Sequence, residues 1–432
     1  MGALIAIGAV IVLMLIGVPV VFSFAAMVAI LAFVYDVDVA FLATSGFSSI
    51  NSIILIALPL FIMTGYLMQS GGMAARLVSF VEALTGRSRS GMGSSMVVAC
   101  SIFGAISGTA SAAVASIGSI MAGPMEKHGY DRSYTAALLG ISSLLGLLIP
   151  PSITMILYAV VTRQSVAASF LATIGPGMLL ILFLCAYNAA KVRLTPGVRG
   201  EKMPFNARLR AVGDTGWRAI PALMLPVIIL GGIYGGIFTP TEAAAVAVIY
   251  AIPIGMFVYK GLDAKKVLQC MIAAATTSGV IVIILFFSFI ISRILTLEGV
   301  PQQLTDFLLS TFESKVLILL MVNVFLILIG MIMDDVSVIA IASPLLVPVV
   351  GQLGIEPIHF AAIIGTSVVI GCNSPPMAPI LFMSCHVTKV GVSRVIRPAL
   401  SLMLFTALPV MLITTYWPPL ALYLPRLLGY VN

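Results

Sequence analysis

Charged residues are scarce in this chain. Lysine and arginine number 22 and aspartate and glutamate 15 among 432 residues, so that charged residues make up 9% of the total. A soluble domain needs far more ionic surface than that. Histidine is rarer still, with only His128, His359 and His386, and HExxH is absent. Cys100, Cys185, Cys270, Cys372 and Cys385 form no CxxC pair and mostly sit in apolar runs, which suits small core residues. No GxxxxGK[ST] loop occurs, so this chain hydrolyses no ATP. What is plentiful is apolar: 61% of residues are hydrophobic and the mean hydropathy is +1.18. Apolar runs recur along the whole length, the mark of an all-α polytopic membrane protein. The first run lacks a basic flank and a small-residue cleavage site, so it is no signal peptide.

One long polar interruption, residues 191–218, splits the chain nearly in half. "GYDRSYTAALLGISSLLGLLIPPSITMIL" from Gly129 and "GIEPIHFAAIIGTSVVIGCNSPPMAPILF" from Gly354 align without a gap. Gly140/Gly365, Gly146/Gly371, Pro150/Pro375 and Pro151/Pro376 coincide; upstream, Gly104 and Ser111 match Gly330 and Ser337. The spacing predicts two repeats, 1–190 and 219–432, joined by a cytoplasmic linker, 191–218. Each repeat holds scaffold helices and an amphipathic arm (71–90 and 298–313). Each then has a re-entrant hairpin (91–124 and 315–350) and a broken helix (131–162 and 358–386). Residues 1–35 are too long for one span and break near Gly17–Pro19; further spans are expected at about 51–69 and 167–190.

The repeats are expected to be inverted, with both termini outside. This layout leaves only Arg163, Arg293, Lys315 and Arg426 outside and puts the remaining 18 of 22 basic residues inside. It therefore obeys the positive-inside rule. The formal charge of +7 is thereby a matter of orientation and needs no nucleic-acid partner.

Backbone cannot stay unpaired in lipid, and proline removes a donor. Pro150, Pro151, Pro375 and Pro376 are therefore expected to unwind two spans. The freed carbonyls would line a polar cavity and suit a small hard cation such as Na⁺. Each break pairs with a hairpin tip of its own half. The first tip, 104–118, offers the hydroxyls of Ser107, Thr109 and Ser111, with Gly104 and Gly108 allowing close approach. The second, "GMIMDDVS", carries Asp334, Asp335 and Ser337 and faces "GCNSPPM", 371–377. An intramembrane carboxylate is a functional candidate whose partner here would be a cation. Two plainer readings stand beside these: Asp334 or Asp335 as a helix cap, and the tip hydroxyls as small-residue packing. "TPTE" at Thr239–Glu242 has capping-box spacing with proline at the first helical position. Asn51 and Asn323 suit interhelical hydrogen bonds. Arg293 suits a snorkelling cation paired with Glu298.

Taken together, "LPLFIMTGYLMQSGGMA" (58–74), "GAISGTASA" (104–112), "LLIPPSITMILYA" (147–159), "GGIFTPTEAAAVAV" (235–248), "MIMDDVS" (331–337) and "NSPPMAPILF" (373–382) resemble the large membrane subunit of tripartite ATP-independent periplasmic (TRAP) transporters. The match spans nearly the whole chain in order. The resemblance implies an elevator-type ion-transporter fold in the bacterial inner membrane. It also implies inward transport of an organic acid, such as a sialic acid or C4-dicarboxylate, with two or more Na⁺. By the same resemblance a periplasmic binding protein would deliver the substrate and a separate small four-helix subunit would support the scaffold, since no four-span domain precedes Met1. Carried over, Ser107, Gly108 and Thr109 with Gly146 and Ile149 form one Na⁺ site. Asp334 and Asp335 with Gly371 and Asn373 form the other. By the same resemblance the anion is expected near Ser107, Thr109, Ser111, Thr154 and Ser337.

Three rival functions are open at this level. A stand-alone Na⁺/dicarboxylate or citrate cotransporter would share the architecture and need no binding protein. An intramembrane aspartyl protease also uses two carboxylates, but these converge from separate helices, whereas Asp334 and Asp335 are adjacent. A scaffold or channel subunit would leave the duplicated breaks unexplained.

Overall fold

The computed structural model describes residues 2–85, 88–195, 197–198, 205–312, 314–375 and 378–431. Those residues are helical or irregular, with no strand among them. Among the described residues seven helices are long and apolar enough to cross a membrane, or eight if one bent pair counts as a single span.

The first apolar run divides as its punctuation demands. α1 (Gly2–Leu15) ends before Gly17, which takes φ 94°, and α2 (Val20–Tyr35) starts behind Pro19. α3 (Val39–Ile50) begins where Asp38 accepts the Ala40 N–H at 2.9 Å. A 3₁₀ turn, Ile53–Ile56, leads into α4 (Ala57–Ser70), and the arm follows as α5 (Met73–Thr85). Two helices meet head to tail at a two-residue tip: α6 (Gly91–Ser107) and α7 (Ala110–Lys127). Then come α8 (Arg132–Ser143), the single turn α9 (Leu145–Leu148) and, after a break, α10 (Ile153–Thr162), bent by 43° from the segment before it. α11 (Val166–Leu194) closes this half.

α12 (Phe205–Tyr234) starts well inside the polar stretch 191–218, and α11 ends inside it. Residues 205–218 contain good helix formers and no proline, so the helix propagates past the apolar segment. α13 (Pro240–Pro253) starts at the expected capping box. Glu242 Oε2 accepts the Thr239 N–H at 2.8 Å and Thr239 Oγ1 accepts the Glu242 N–H at 3.3 Å. α14 (Ala264–Leu297) and the second arm, α15 (Val300–Thr311), follow. α16 (Lys315–Gly330) and α17 (Asp335–Gln352) meet at the second tip. α18 (Pro357–Asn373) and α19 (Pro379–Thr388) flank the second break. α20 (Val392–Leu402) runs through a π-helical turn into α21 (Leu408–Tyr416), and α22 (Pro419–Leu427) ends the fold. At about 1.5 Å per residue, α6, α16 and α18 are each shorter than a ~30 Å hydrocarbon core.

The halves interlock. α10, past the first break, packs on α17 behind the second tip, and α19, past the second break, packs on α7 behind the first. α8 packs on α19 and α20, while α4 packs on α13 and α14 at the side of this inner group. Cys100, Cys270, Cys372 and Cys385 are buried and Cys185 half-buried.

Asn323 is fully buried and does join helices: its Nδ2 donates to Thr415 Oγ1 and its Oδ1 accepts from Ser367 Oγ, both at 3.0 Å. This ties α16 to α18 and α21. Asn323→Leu removes both bonds, and each hydroxyl keeps one bond to its own helix. The expected loss is about 1 kcal/mol, measured by reversible unfolding in mixed micelles. Asn51 differs from expectation. It is the C-terminal cap of α3, exposed on the wall of an open cavity, and its side chain joins no other helix by a hydrogen bond among the described residues. Arg293 and Glu298 form no ion pair among the described residues. Five residues apart, they leave α14 on different faces.

Candidate functional site

The first tip rests directly on the first break. Gly104 on α6 and Gly146 on α9 touch through backbone: a Cβ added to Gly104 would lie 2.5 Å from Gly146 Cα. Gly108 takes φ 65°, which glycine adopts without strain, and its carbonyl accepts the Ile153 N–H at 3.2 Å. The same contact recurs at the second tip, where a Cβ on Gly371 would lie 2.7 Å from Gly330 Cα. These are the glycines that the two halves align with one another.

Each break exposes helix ends. Pro150 and Pro151 carry no N–H, so the Gly146 and Leu147 carbonyls, four residues earlier, lose their helical donors. Ile149 is the extended residue that ends α9. Ser107 Oγ donates to the Thr109 carbonyl at 3.4 Å, and Thr109 Oγ1 caps α7 by accepting the Ala112 N–H at 3.4 Å. Thr109 therefore has the structural role its residue type allows, and its carbonyl faces Gly146. Ser107, Gly108, Thr109 and Gly146 are thus brought together, whereas the Ile149 side chain lies against Gly177 on α11.

At the second tip Asp334 occupies the cap position of α17, but its side chain takes a hydroxyl instead of a backbone amide: Ser337 Oγ donates to Asp334 Oδ1 at 2.5 Å. Asp335 starts the helix. Both are half-buried and neither has a basic partner among the described residues. Gly371 touches this hairpin through Gly330. Asn373 is fully buried, its carboxamide points toward Gly140 on α8, and both its polar atoms lack a hydrogen-bond partner among the described residues. A buried amide left unpaired is costly, so this residue offers an oxygen and an N–H₂ to something further. Pro375 lies in the break; Pro376 falls outside the described residues.

Beside the first tip lies a cavity of about 260 Å³ walled by Ser107, Thr109 and Ser111, with Tyr66 and Gln69 from α4 and Thr277 from α14. Tyr66 Oη and Thr277 Oγ1 are 3.1 Å apart. Thr154 and Ser337 lie off this wall. Thr154 Oγ1 is 2.7 Å from Ser152 Oγ, and both of those residues and Ser337 are buried. The hydroxyls thus divide: Ser107, Thr109 and Ser111 line the pocket, Thr154 is closed off behind the first break, and Ser337 is closed off at the second tip. Tyr66, Gln69 and Thr277 had no role in the sequence reading. Their signal is polar side chains at helical spacing on one face of otherwise apolar runs.

A helical membrane protein that seats two hairpin tips on two proline breaks, beside a hydroxyl-walled cavity, is built as a carrier. Residues 7–420 match the family described as the tripartite ATP-independent periplasmic transporter, DctM component. The chain is 34% identical to the C4-dicarboxylate TRAP transporter large permease protein DctM of Rhodobacter capsulatus, over 99% of this chain and 100% of that one. It is 31% identical to the sialic acid TRAP transporter large permease protein SiaM of Vibrio cholerae, over 96% of each. Among solved structures, the YdaH transporter of Alcanivorax borkumensis matches with a TM-score of 0.64 over 88% of each chain, at 16% identity, a likeness of fold alone. The chain belongs to the DctM family of TRAP transporter large permeases. It is a transporter subunit and not an enzyme, which removes the aspartyl-protease reading.

Proposed function

We propose that this permease imports an organic acid with Na⁺ by an elevator motion. The observation that carries the reading is the repeated junction of tip on break, Gly104 on Gly146 and Gly330 on Gly371. Two copies of one module, inverted in the membrane with both termini periplasmic, account for it. The α6–α7 and α16–α17 hairpins are re-entrant, and with α8–α10, α18 and α19 they make the moving body. α4, α13 and α14 belong to the scaffold, braced by the arms α5 and α15. Na⁺ binds at each junction: at the carbonyls of the first, and at Asp334, Asp335 and Asn373 in the second. The N-termini of α10 and α19 present partial positive charge to a carboxylate, and the 260 Å³ cavity is its route past Ser107, Thr109 and Ser111. A periplasmic binding protein delivers the acid and a small four-helix subunit supports the scaffold in the inner-membrane lipid. A C4-dicarboxylate or a sialic acid, named for the relatives, fits the hydroxyl-rich wall.

The test is uptake by proteoliposomes holding this chain and its small subunit, with the binding protein added outside. An inward Na⁺ gradient is expected to raise uptake of the bound acid at least tenfold over an equal K⁺ gradient. Uptake indifferent to Na⁺ ends the coupled reading. Full uptake of free acid without the binding protein identifies a stand-alone cotransporter instead.

A further inference from the structure

Arg163 and Arg293 are two of the four basic residues that charge placement leaves on the outer face. Of the other two, Lys315 opens α16, and Arg426 is paired with Glu356 at 2.8 Å. Arg163 and Arg293 share a cavity instead. From the ends of α10 and α14 they line one open cavity of about 910 Å³, completed by α3 and the turn after it. Neither makes an ion pair among the described residues, and no aspartate or glutamate lines this cavity. Its wall adds the hydroxyls of Ser45, Ser48 and Ser292 and the amide of Gln164. Arg163 holds its place in left-handed backbone, φ 56°, where its N–H closes the end of α10. Glycine is the residue such a cap favours, so this arginine stands against local preference.

We infer that this cavity is a binding site for small organic anions, which holds the carboxylate of a substrate at the outer surface before it reaches the transport site. The inference rests on the organic-acid reading above. Two uncompensated positive charges on a concave wall raise the local anion concentration. The guanidinium fork matches a carboxylate in two parallel hydrogen bonds. The volume is large for a small acid, so charge rather than shape makes the selection, and the site is weak and sensitive to salt.

Ser48 is exposed on the wall of this cavity and supplies a reporter. Ser48→Cys protein in nanodiscs is treated with impermeant anionic or cationic thiosulfonates, with the protein bearing Ser48 as background control. The anionic reagent is expected to react faster. The ratio of the two rates falls about tenfold when Arg163→Gln and Arg293→Gln are introduced together, and Arg→Lys at both positions restores it. Succinate at constant ionic strength slows the anionic reagent where chloride does not. A ratio unchanged by removal of both arginines overturns the inference. So does a double glutamine variant that keeps the reagent ratio but needs more loaded binding protein for half-maximal uptake. That result assigns the arginines to an acidic protein surface. The labelling is read without transport, so its failure is distinct from a failure of Na⁺-driven uptake.

Discussion

Asp334→Asn is expected to raise the Na⁺ concentration for half-maximal uptake at least tenfold, a loss of about 1.4 kcal/mol or more in ion binding. The substitution keeps the shape of the side chain and an oxygen for the Ser337 hydroxyl, which the aspartate accepts at 2.5 Å. Asparagine is also as good a helix cap as aspartate, so the start of α17 is preserved. Only the negative charge is lost. In the native chain that charge is half-buried with no basic residue paired to it among the described residues, a costly arrangement unless a cation completes it. Asp335→Asn is expected to act in the same direction and less strongly. As the first residue of α17, Asp335 also interacts with the positive end of that helix. A purely structural role for Asp334 predicts the reverse pattern, with Na⁺ affinity unchanged and thermal stability lowered. That result in proteoliposome titrations would remove the ion from this carboxylate.

What the sequence made legible were its interruptions. Gly17 and Pro19 mark where α1 and α2 part, Thr239 to Glu242 spell the start of α13, and Pro150-Pro151 separates α9 from α10. Each acts through the backbone of its own neighbourhood, so a single sequence carries the signal. The glycine pairs were visible only as alignment between halves, and their contact is a fact of folding. α3 escaped notice because "VAFLATSGFSSI" mixes apolar and small polar residues without a strong helix signal. What secures it is packing on α14, with Gly46 closely approached by Phe286 and Ile290. Tyr66 and Thr277 are 211 residues apart and meet in one cavity wall. Arg163 and Arg293 meet in another. Their shared placement comes from tertiary packing that no local pattern encodes, whereas the sequence offers Arg293 only its neighbour Glu298.

Gly104→Ala is expected to reduce initial uptake at least tenfold. The new methyl group would lie 2.5 Å from Gly146 Cα and 2.8 Å from its nitrogen. These are backbone atoms of a short helical turn and cannot rotate aside, so the whole tip must lift from the break. Overpacking of this kind costs roughly 1–3 kcal/mol. Here it also displaces the Thr109 carbonyl from Gly146 and strains the Gly108–Ile153 hydrogen bond that holds tip to break. The contacts are not reciprocal, and that gives the series an order. Gly371→Ala, at 2.7 Å from Gly330 Cα, is expected to be nearly as severe as Gly104→Ala. Gly330→Ala, at 3.0 Å from Gly371 Cα, and Gly146→Ala, at 3.2 Å from Gly104 Cα, are expected to be milder. Gly123→Ala on α7 meets nothing within 4 Å and serves as the control. There the alanine favours the helix by up to about 1 kcal/mol, and uptake is retained. If Gly104→Ala transports as well as Gly123→Ala, the seating of tip on break is only packing, and the ion and the acid must be held elsewhere.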